Sequence, residues 1–206
     1  MARYTKAKAK LCRRFGENLF GTEKYAKILA RKNYRPGMHG KSFSRNQSEY
    51  GKQLLMKQKI KIIYGILERQ FRRHYEEIKN KQGISGDLLM ARLEKRLDNV
   101  VYRAGYAETR PQARQLVTHG AITVNGQKMS IPSSSVRIGD LIGINPTKRK
   151  NKYFAAREQF LKSNKSVPAW LAWDSKEFTI KVLAPPQREN WEQTIDPQIV
   201  VEYYSK

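Results

Sequence analysis

Residues 94–129 read EKRLDNVVYRAGYAETRPQARQLVTHGAITVNGQKM, and they contain the clearest structural signals of the sequence. Apolar residues with the spacing of one helix face begin just before this stretch at Leu93 and continue through its first part: Leu97, Val100, Val101 and Ala104. Gly105 follows at the position where a left-handed C-terminal cap is expected. The sequence therefore predicts a helix that ends at this glycine.

A second helix and a hairpin follow. Thr109 and Gln112 have the spacing of a capping box, and Pro111 lies in the first turn, where a missing N–H costs little. Gly120 ends this helix, and Asn125-Gly126 between alternating residues is a strong hairpin signal. We expect two short helices packed as an L and backed by a small sheet.

Four arginines of this stretch fall on surfaces that the apolar residues do not use. They are Arg96, Arg103, Arg110 and Arg114. Guanidinium groups bind phosphate well because their donors match its oxygens. The predicted helix pair therefore presents a surface for structured RNA, unless these arginines pair with acidic neighbours such as Glu94, Asp98 or Glu108 and serve only the fold.

The runs RLDNVVYRxG, TRxxARQLVxHG and VNG resemble the RNA-binding core of the S4 family of small-subunit ribosomal proteins, bacterial or organellar type. Further matches are KLCRR at 10–14, PGMHG at 36–40, PPQR at 185–188 and IVVEYYSK at 199–206, so the resemblance covers nearly the whole chain. It implies an α+β fold. A helical domain built from N-terminal and C-terminal segments would hold an inserted S4 RNA-binding domain, with a two-helix L motif on a small, mostly antiparallel sheet.

The expected domain plan has three parts. Residues 1–47 form a basic arm, residues 48–93 form a helical domain completed by 175–206, and residues 94–174 form the inserted domain. Two apolar groups support the plan. Tyr64, Leu67, Phe71, Tyr75 and Ile78 lie on one helix face, and Ile199, Val200, Val201 and Tyr203 form a compact group near the C-terminus that we expect to dock on that face.

Charge restricts the partners. The chain has 41 Lys and Arg against 18 Asp and Glu, a net charge of +23, which favours binding to a polyanion. No apolar run approaches the ~20 residues of a membrane span, and the N-terminus lacks the apolar region of a secretory signal. A single cysteine indicates a reducing compartment. The expected location is the ribosome in the cytoplasm, or in the matrix or stroma of an organelle if the protein is organelle-encoded.

The arm carries 13 basic and two acidic residues, a composition that alone predicts poor order and that can order on RNA. Some family members bind zinc here through four cysteines. This chain has Ala9 at the first position and Cys12 at the second, and a lone thiol, even with His39 as a conceivable partner, does not make a structural zinc site. We expect no metal and no cofactor.

The candidate RNA-binding residues come from the arm, the helical domain and the inserted domain. They are Arg3, Lys10, Arg13, Arg14, His39, Lys57, Lys59, Lys61, Arg69, Arg72, Arg73, Arg96, Arg103, Thr109, Arg110, Arg114, His119 and Lys128. The structural alternative is simple solvation of a charged helix face for the residues between 57 and 73, and a helix-end contact for His119.

A catalytic role is not expected. The three histidines are far apart, and the phosphate-binding glycine motifs are absent from the sequence. Arg96-Leu97-Asp98 matches a tripeptide found in the catalytic loop of pseudouridine-forming enzymes, but here it lies on a predicted helix without the surrounding residues of those enzymes.

The resemblance implies a structural constituent of the small ribosomal subunit. Such a protein binds ribosomal RNA directly, nucleates assembly of the five-prime domain, and helps form the region where messenger RNA enters and where decoding fidelity is set. The implied partners are a multi-helix junction of the five-prime domain, ribosomal protein S5, other small-subunit proteins and messenger RNA. The alternative is a stand-alone RNA-binding regulator or chaperone acting off the ribosome.

Overall fold

The computed structural model describes residues 4–5, 7–42, 47–163, 167–174 and 177–205. Expected features that fall outside these ranges, including Arg3, are not described. The helices of the described residues are α1 Lys8–Phe15, α2 Glu23–Arg31, α3 Glu49–Tyr64, α4 Glu68–Glu76, α5 Ser85–Glu94, α6 Leu97–Arg103, α7 Arg110–Thr118, α8 Pro146–Arg149, α9 Lys152–Ser163 and α10 Pro197–Ser205, with a 3-10 turn at Arg188–Asn190. The strands are β1 Ile122–Val124, β2 Gln127–Met129, β3 Leu141–Ile144, β4 Leu171–Asp174 and β5 Thr179–Val182.

The chain divides into two compact units. The helical unit contains residues 1–86 and 193–206, and the sheet unit contains residues 87–192. The division departs from the expected boundaries, most strongly at the second one. Thr179–Val182 pairs with β3 and β4, so it belongs to the sheet unit instead of completing the helical domain.

In the helical unit, the predicted apolar stripe is interrupted between α3 and α4. Ser48 caps the start of α3 by accepting a hydrogen bond from the Gly51 N–H at 3.2 Å. Gly65 ends α3 with φ of +64°, a conformation that glycine adopts without strain. Leu67 precedes α4 as its N-cap and is 38% exposed, so its expected place in the buried stripe is wrong.

The C-terminal helix α10 packs on α3 within the helical unit. Val200 is fully buried, and the ring of Tyr204 stacks on Tyr75 with centroids 4.7 Å apart. Tyr203, which we expected on this face, instead lies beside Tyr50 with centroids 5.5 Å apart. Tyr204, the residue after the expected one, therefore contacts the predicted face, and its ring also lies 6.2 Å from that of Phe71.

In the sheet unit, backbone hydrogen bonds from a loop stabilise the junction where α5 ends and α6 begins. The Leu97 N–H donates to the Ser134 carbonyl at 2.8 Å, and the Val136 N–H donates to the Lys95 carbonyl at 2.9 Å. Helix α6 then leads to Gly105, which has the predicted left-handed conformation with φ of +79°. These bonds fix the direction in which α6 leaves α5.

Helix α7 begins with Thr109, whose side chain accepts a hydrogen bond from the Gln112 N–H at 3.4 Å. The Gln112 side chain does not complete the expected capping box with the Thr109 N–H. It accepts instead from the N–H of Glu108 at 3.0 Å. The bond from the Gln112 side chain back to the start of the helix is thus made to Glu108, one residue before the N-cap Thr109.

The five strands form one sheet in the order β2-β1-β3-β5-β4, with antiparallel pairing between each pair of neighbours. Asn125 and Gly126 have φ of +51° and +80°, the left-handed pair that the hairpin signal predicts. Helices α6, α7 and α9 share one apolar core with this sheet, in which Tyr106 is fully buried and donates to the Phe178 carbonyl at 2.9 Å. The α+β fold class is confirmed.

Candidate nucleic-acid interface

Positive charge is distributed over both units. From the sequence, the helical unit has 23 Lys and Arg against eight Asp and Glu, and the sheet unit has 18 against ten. Each unit is therefore cationic, with net charges of +15 and +8. A polyanion is favoured on either one.

Buried acidic groups organise the helix pair α6–α7 in the sheet unit. Glu94 at the end of α5 has no exposed surface, and Asp98 in the first turn of α6 is 6% exposed. Buried carboxylates are stable only when cations or other donors satisfy them. Around these two carboxylates and a third, that of Glu192, lie the four arginines of the 94–129 stretch: Arg96, Arg103, Arg110 and Arg114.

Arg103 is held by Glu94 through two hydrogen bonds. Its Nε and an η nitrogen donate to the two carboxylate oxygens at 3.0 and 2.8 Å. Asn99 donates to the same carboxylate at 2.7 Å and to the Glu94 main-chain carbonyl at 3.0 Å. The guanidinium of Arg103 therefore has a fixed position and keeps only 16% of its side chain exposed.

Arg110 is positioned by the same asparagine. Its Nε donates to the Asn99 side-chain oxygen at 2.8 Å, and the guanidinium lies 4.5 Å from the centroid of the Tyr102 ring. One η nitrogen donates to Glu192 at 3.0 Å. The same Glu192 oxygen lies 3.6 Å from Arg103, so the two guanidinium groups converge on one carboxylate.

Arg96 and Arg114 share Asp98. Their η nitrogens lie 3.2 and 2.9 Å from the same carboxylate oxygen, and the other oxygen accepts from the Asn99 N–H at 3.0 Å. Arg96 is 3% exposed, and its Nε is buried without a hydrogen-bond partner. The expectation that Arg96 lies on a surface left free by the apolar residues is therefore wrong, because Asp98 draws it inside.

His119 and Lys128 form a second group in the sheet unit. His119 is exposed at the end of α7, and Lys128 is exposed on the edge strand β2. The Lys128 stem crosses Gly120, where an added Cβ would come 2.1 Å from Cε of the lysine. Within the described residues Lys128 makes no ion pair, so its ammonium group is available to a phosphate.

The three lysines of α3 are engaged inside the helical unit. Lys57 and Lys59 are 5% and 6% exposed. Lys57 and Lys61 bind the two carboxylate oxygens of Glu68 at 2.9 and 2.5 Å. Lys59 binds the Glu17 carboxylate at 2.7 Å and the Thr194 carbonyl at 3.0 Å. The structure places these ammonium groups within the fold and not on an open face.

The arginines of α4 remain on the surface. Arg72 and Arg73 are exposed and pair with Glu76 and Glu77 one turn later at 3.0 and 2.8 Å. Exposed pairs of this kind contribute little to stability, so a phosphate can replace the carboxylate. Arg69 is exposed and has no ion pair within the described chain.

In the arm, the guanidinium of Arg13 covers the Tyr34 ring at 4.7 Å and donates to the Tyr34 carbonyl at 3.0 Å. Lys41 lies 5.3 Å from the same ring, so two cations flank one aromatic side chain. Three further candidate residues of the arm are exposed: Lys10, Arg14 and His39. The described part of the arm contains two helices, α1 and α2, which composition alone did not predict.

Sequence reasoning missed several residues that position this candidate interface. Arg157 on α9 donates to the Gly105 carbonyl at 2.9 Å and pairs with Glu108 at 3.3 Å, which ties α9 to the turn between α6 and α7. Glu192 and Asn99 were also missed. Glu192 is 82 residues from its partner Arg110, so no local pattern could have found the pair.

The described residues hold no group of three or more His, Cys, Asp or Glu able to bind a metal ion. Cys12 is fully buried, and this burial raises the pKa of its thiol. The absence of zinc stays a prediction. None of the described helices is both long and apolar enough to cross a membrane.

Comparison with known proteins gives concordant matches along the chain. The family described as "Ribosomal protein S4/S9 N-terminal domain" matches residues 3–94, and the "S4 domain" matches residues 95–142. The "Small ribosomal subunit protein uS4" of Roseiflexus castenholzii is 48% identical over 208 residues, covering 100% of both chains. Proteins of the same name from Syntrophomonas wolfei and Borrelia turicatae are 46% and 42% identical, with 100% of this chain and 100% and 99% of theirs covered.

Proposed function

Because the chain belongs to the S4 family of small ribosomal subunit proteins, we propose that it is a structural constituent of the small subunit that binds ribosomal RNA. The observation that carries this proposal is the end-to-end match with proteins named for that subunit, at 42–48% identity. The cationic surfaces of both units agree with a polyanionic partner.

The protein would act by binding RNA during assembly of the small subunit, without a chemical reaction. Exposed cations such as Lys128, Arg69 and Lys10 would release counterions from closely spaced phosphates, and this supplies salt-dependent affinity. Arg103 and Arg110, which Glu94 and Asn99 hold in place, would receive phosphates in one geometry. We propose a multi-helix junction of the five-prime domain as the target, because the family resemblance implies it. Structured RNA of this kind is recognised by its shape and backbone.

The remaining partners follow from the family. We propose ribosomal protein S5 as a neighbour, a position beside the channel by which messenger RNA enters, and a part in decoding fidelity. The relatives named above come from bacteria, which favours the bacterial cytoplasm as the location. The matrix or stroma of an organelle has no support of this kind.

We propose no catalytic activity. Asp98 of the RLD tripeptide lies on helix α6 and is 6% exposed. Both of its carboxylate oxygens are engaged, by Arg96 and Arg114 on one side and by the Asn99 N–H on the other. A carboxylate used in this way cannot reach a base of the RNA.

The alternative, a regulator acting off the ribosome, is not favoured. Such proteins usually keep the S4 domain and a basic tail, whereas this chain also has the helical unit and matches full-length ribosomal proteins over their whole length. Cosedimentation with small subunits through a high-salt wash separates the two functions. Release of the protein into the supernatant at that step would favour the regulator.

A direct test measures binding of the full chain to a transcript of the five-prime domain and to a perfect RNA duplex. We expect preference for the transcript. Lys128→Ala should reduce the slope of log K against log salt by about 0.7–0.9, the value of one phosphate contact. Lys181→Ala is the matched control, because Lys181 is also an exposed strand lysine without an ion pair in the described chain. Equal binding of transcript and duplex would contradict the proposal.

A further inference from the structure

Glu192 is the exposed member of the arginine cluster. Its side chain is 36% exposed, whereas the side chain of Glu94, which also pairs with Arg103, has no exposed surface. One Glu192 oxygen lies 3.0 Å from Arg110 and 3.6 Å from Arg103. The carboxylate therefore closes the side of the cluster that faces water.

The two arginines do not depend on Glu192 for their positions. Arg103 makes its two shorter hydrogen bonds to Glu94, and the Nε of Arg110 is held by Asn99, which itself donates to Glu94. Stacking on the Tyr102 ring further restrains Arg110. If Glu192 moved away, an η nitrogen of Arg110 would remain within hydrogen-bond distance of the position its oxygen now occupies, and an η nitrogen of Arg103 would remain 3.6 Å from it.

The charges show what that position would then bind. The formal charges of the four side chains sum to zero (Arg103, Arg110, Glu94 and Glu192), and without Glu192 the sum is +1. Two fixed guanidinium groups that converge on one anionic oxygen are the arrangement that binds a phosphate oxygen. Glu192 therefore stands where a backbone phosphate fits.

We propose that Glu192 is a specificity-determining residue that occupies a phosphate site between Arg103 and Arg110 and is displaced when structured RNA brings a phosphate to that site. The inference rests on the proposed function, since it concerns binding of RNA by the same arginines. RNA that does not place a phosphate there meets a neutral cluster. RNA of the right shape replaces the carboxylate and contacts both arginines, so the residue penalises unspecific binding more than specific binding.

The test uses Glu192→Gln in the full chain, with Glu189→Gln as the matched control. Glu189 lies on the neighbouring 3-10 turn, is exposed, and has no ion pair among the described residues, so its variant removes the same charge without opening the site. Binding of each variant to a perfect RNA duplex and to the five-prime domain transcript is measured across a salt series.

We expect Glu192→Gln to steepen the salt slope for the duplex by about 0.7–0.9, equivalent to roughly a threefold larger affinity change between 50 and 200 mM salt. Its preference for the transcript over the duplex should fall, while Glu189→Gln keeps the wild-type preference. The inference is overturned if the two variants behave alike, or if Glu192→Gln weakens binding while the protein still melts cooperatively.

Two further readouts keep the outcomes separate. Glu192→Asp keeps the charge on a shorter side chain and should retain the wild-type preference; if Glu192→Gln fails to fold, loss of preference in the Asp variant overturns the inference. The proposed function is judged on the wild-type chain alone. If that chain does not prefer the transcript, the proposed function fails, whatever the variants do.

Discussion

The buried carboxylate of Glu94 offers the sharpest test of how the arginines are held. It accepts hydrogen bonds from Asn99 at 2.7 Å and from two nitrogens of Arg103 at 2.8 and 3.0 Å. Glu94→Gln keeps the shape of the side chain but converts one oxygen into an NH₂ group. That group would then face a donor, and Arg103 would lose its buried counter-charge.

The expected cost follows from burial. Removing one partner of a buried ion pair destabilises a protein by about 3–5 kcal/mol, and we expect about 3 kcal/mol because some water reaches Arg103. Its side chain is 16% exposed. The matched control is Asp87→Asn in the same unit, where the ion pair with Arg188 has side chains 29% and 66% exposed. Exposed pairs contribute less than about 1 kcal/mol, so the control should lie near the wild type.

Hydrogen exchange of the backbone amides of α6 in a urea series measures the free energy of opening within the sheet unit. The double variant Glu94→Gln with Arg103→Gln should recover part of the loss, because it leaves no unpaired charge. Equal stability of the Glu94 and Asp87 variants would refute the reasoning, and so would a double variant less stable than the sum of the two single changes predicts.

Three further outcomes concern the helical unit and the hairpin. Burial alone would raise the pKa of Glu68, but hydrogen bonds led by those from Lys61 and Lys57 lower it to about 2. The ionised carboxylate therefore stabilises the fold above its ordinary pKa of about 4.5, and this stability is lost as the pH falls toward 2. Acid unfolding of Glu68→Gln should lack that loss. Val200→Ala should cost about 2 kcal/mol in thermal melting because its side chain is fully buried, and a cost below that of an exposed substitution would show that α10 does not dock. Gly126→Ala should cost about 1–2 kcal/mol, since its φ is +80° and no atom lies within 4 Å of an added Cβ; unchanged exchange of the hairpin amides would contradict strain as the cause.

Local signals predicted the elements of the sheet unit well. Gly105 ends α6 and Asn125-Gly126 forms the hairpin turn, each as the residue types require. These features depend on backbone conformations that only a few residues adopt easily, so neighbours in sequence are enough to identify them. The predicted apolar stripe runs across Gly65, where α3 ends. The spacing of the apolar residues continues past this glycine, so the spacing alone does not show that the helix stops there.

The candidate site was harder to predict because ion pairing depends on distance in space. The sequence places four arginines near each other, but it does not show which carboxylate each one meets. Lys57 and Lys59 illustrate the same limit. Both look like members of an exposed basic cluster, and both are buried against Glu68, Glu17 and the Thr194 carbonyl. A basic run therefore indicates a polyanion partner without showing which cations face it.

The two kinds of cation in the sheet unit point to two separable contributions to RNA binding. Exposed Lys128 makes no ion pair in the described chain, so it loses rotamer freedom on binding and supplies attraction that salt weakens. Arg103 and Arg110 are already ordered by Glu94 and Asn99, so little further freedom is lost when they meet a phosphate. Substituting the lysine should thus change affinity for all RNAs alike. Disturbing Asn99 should change the preference between RNAs, because it would let Arg110 follow a phosphate that is out of place.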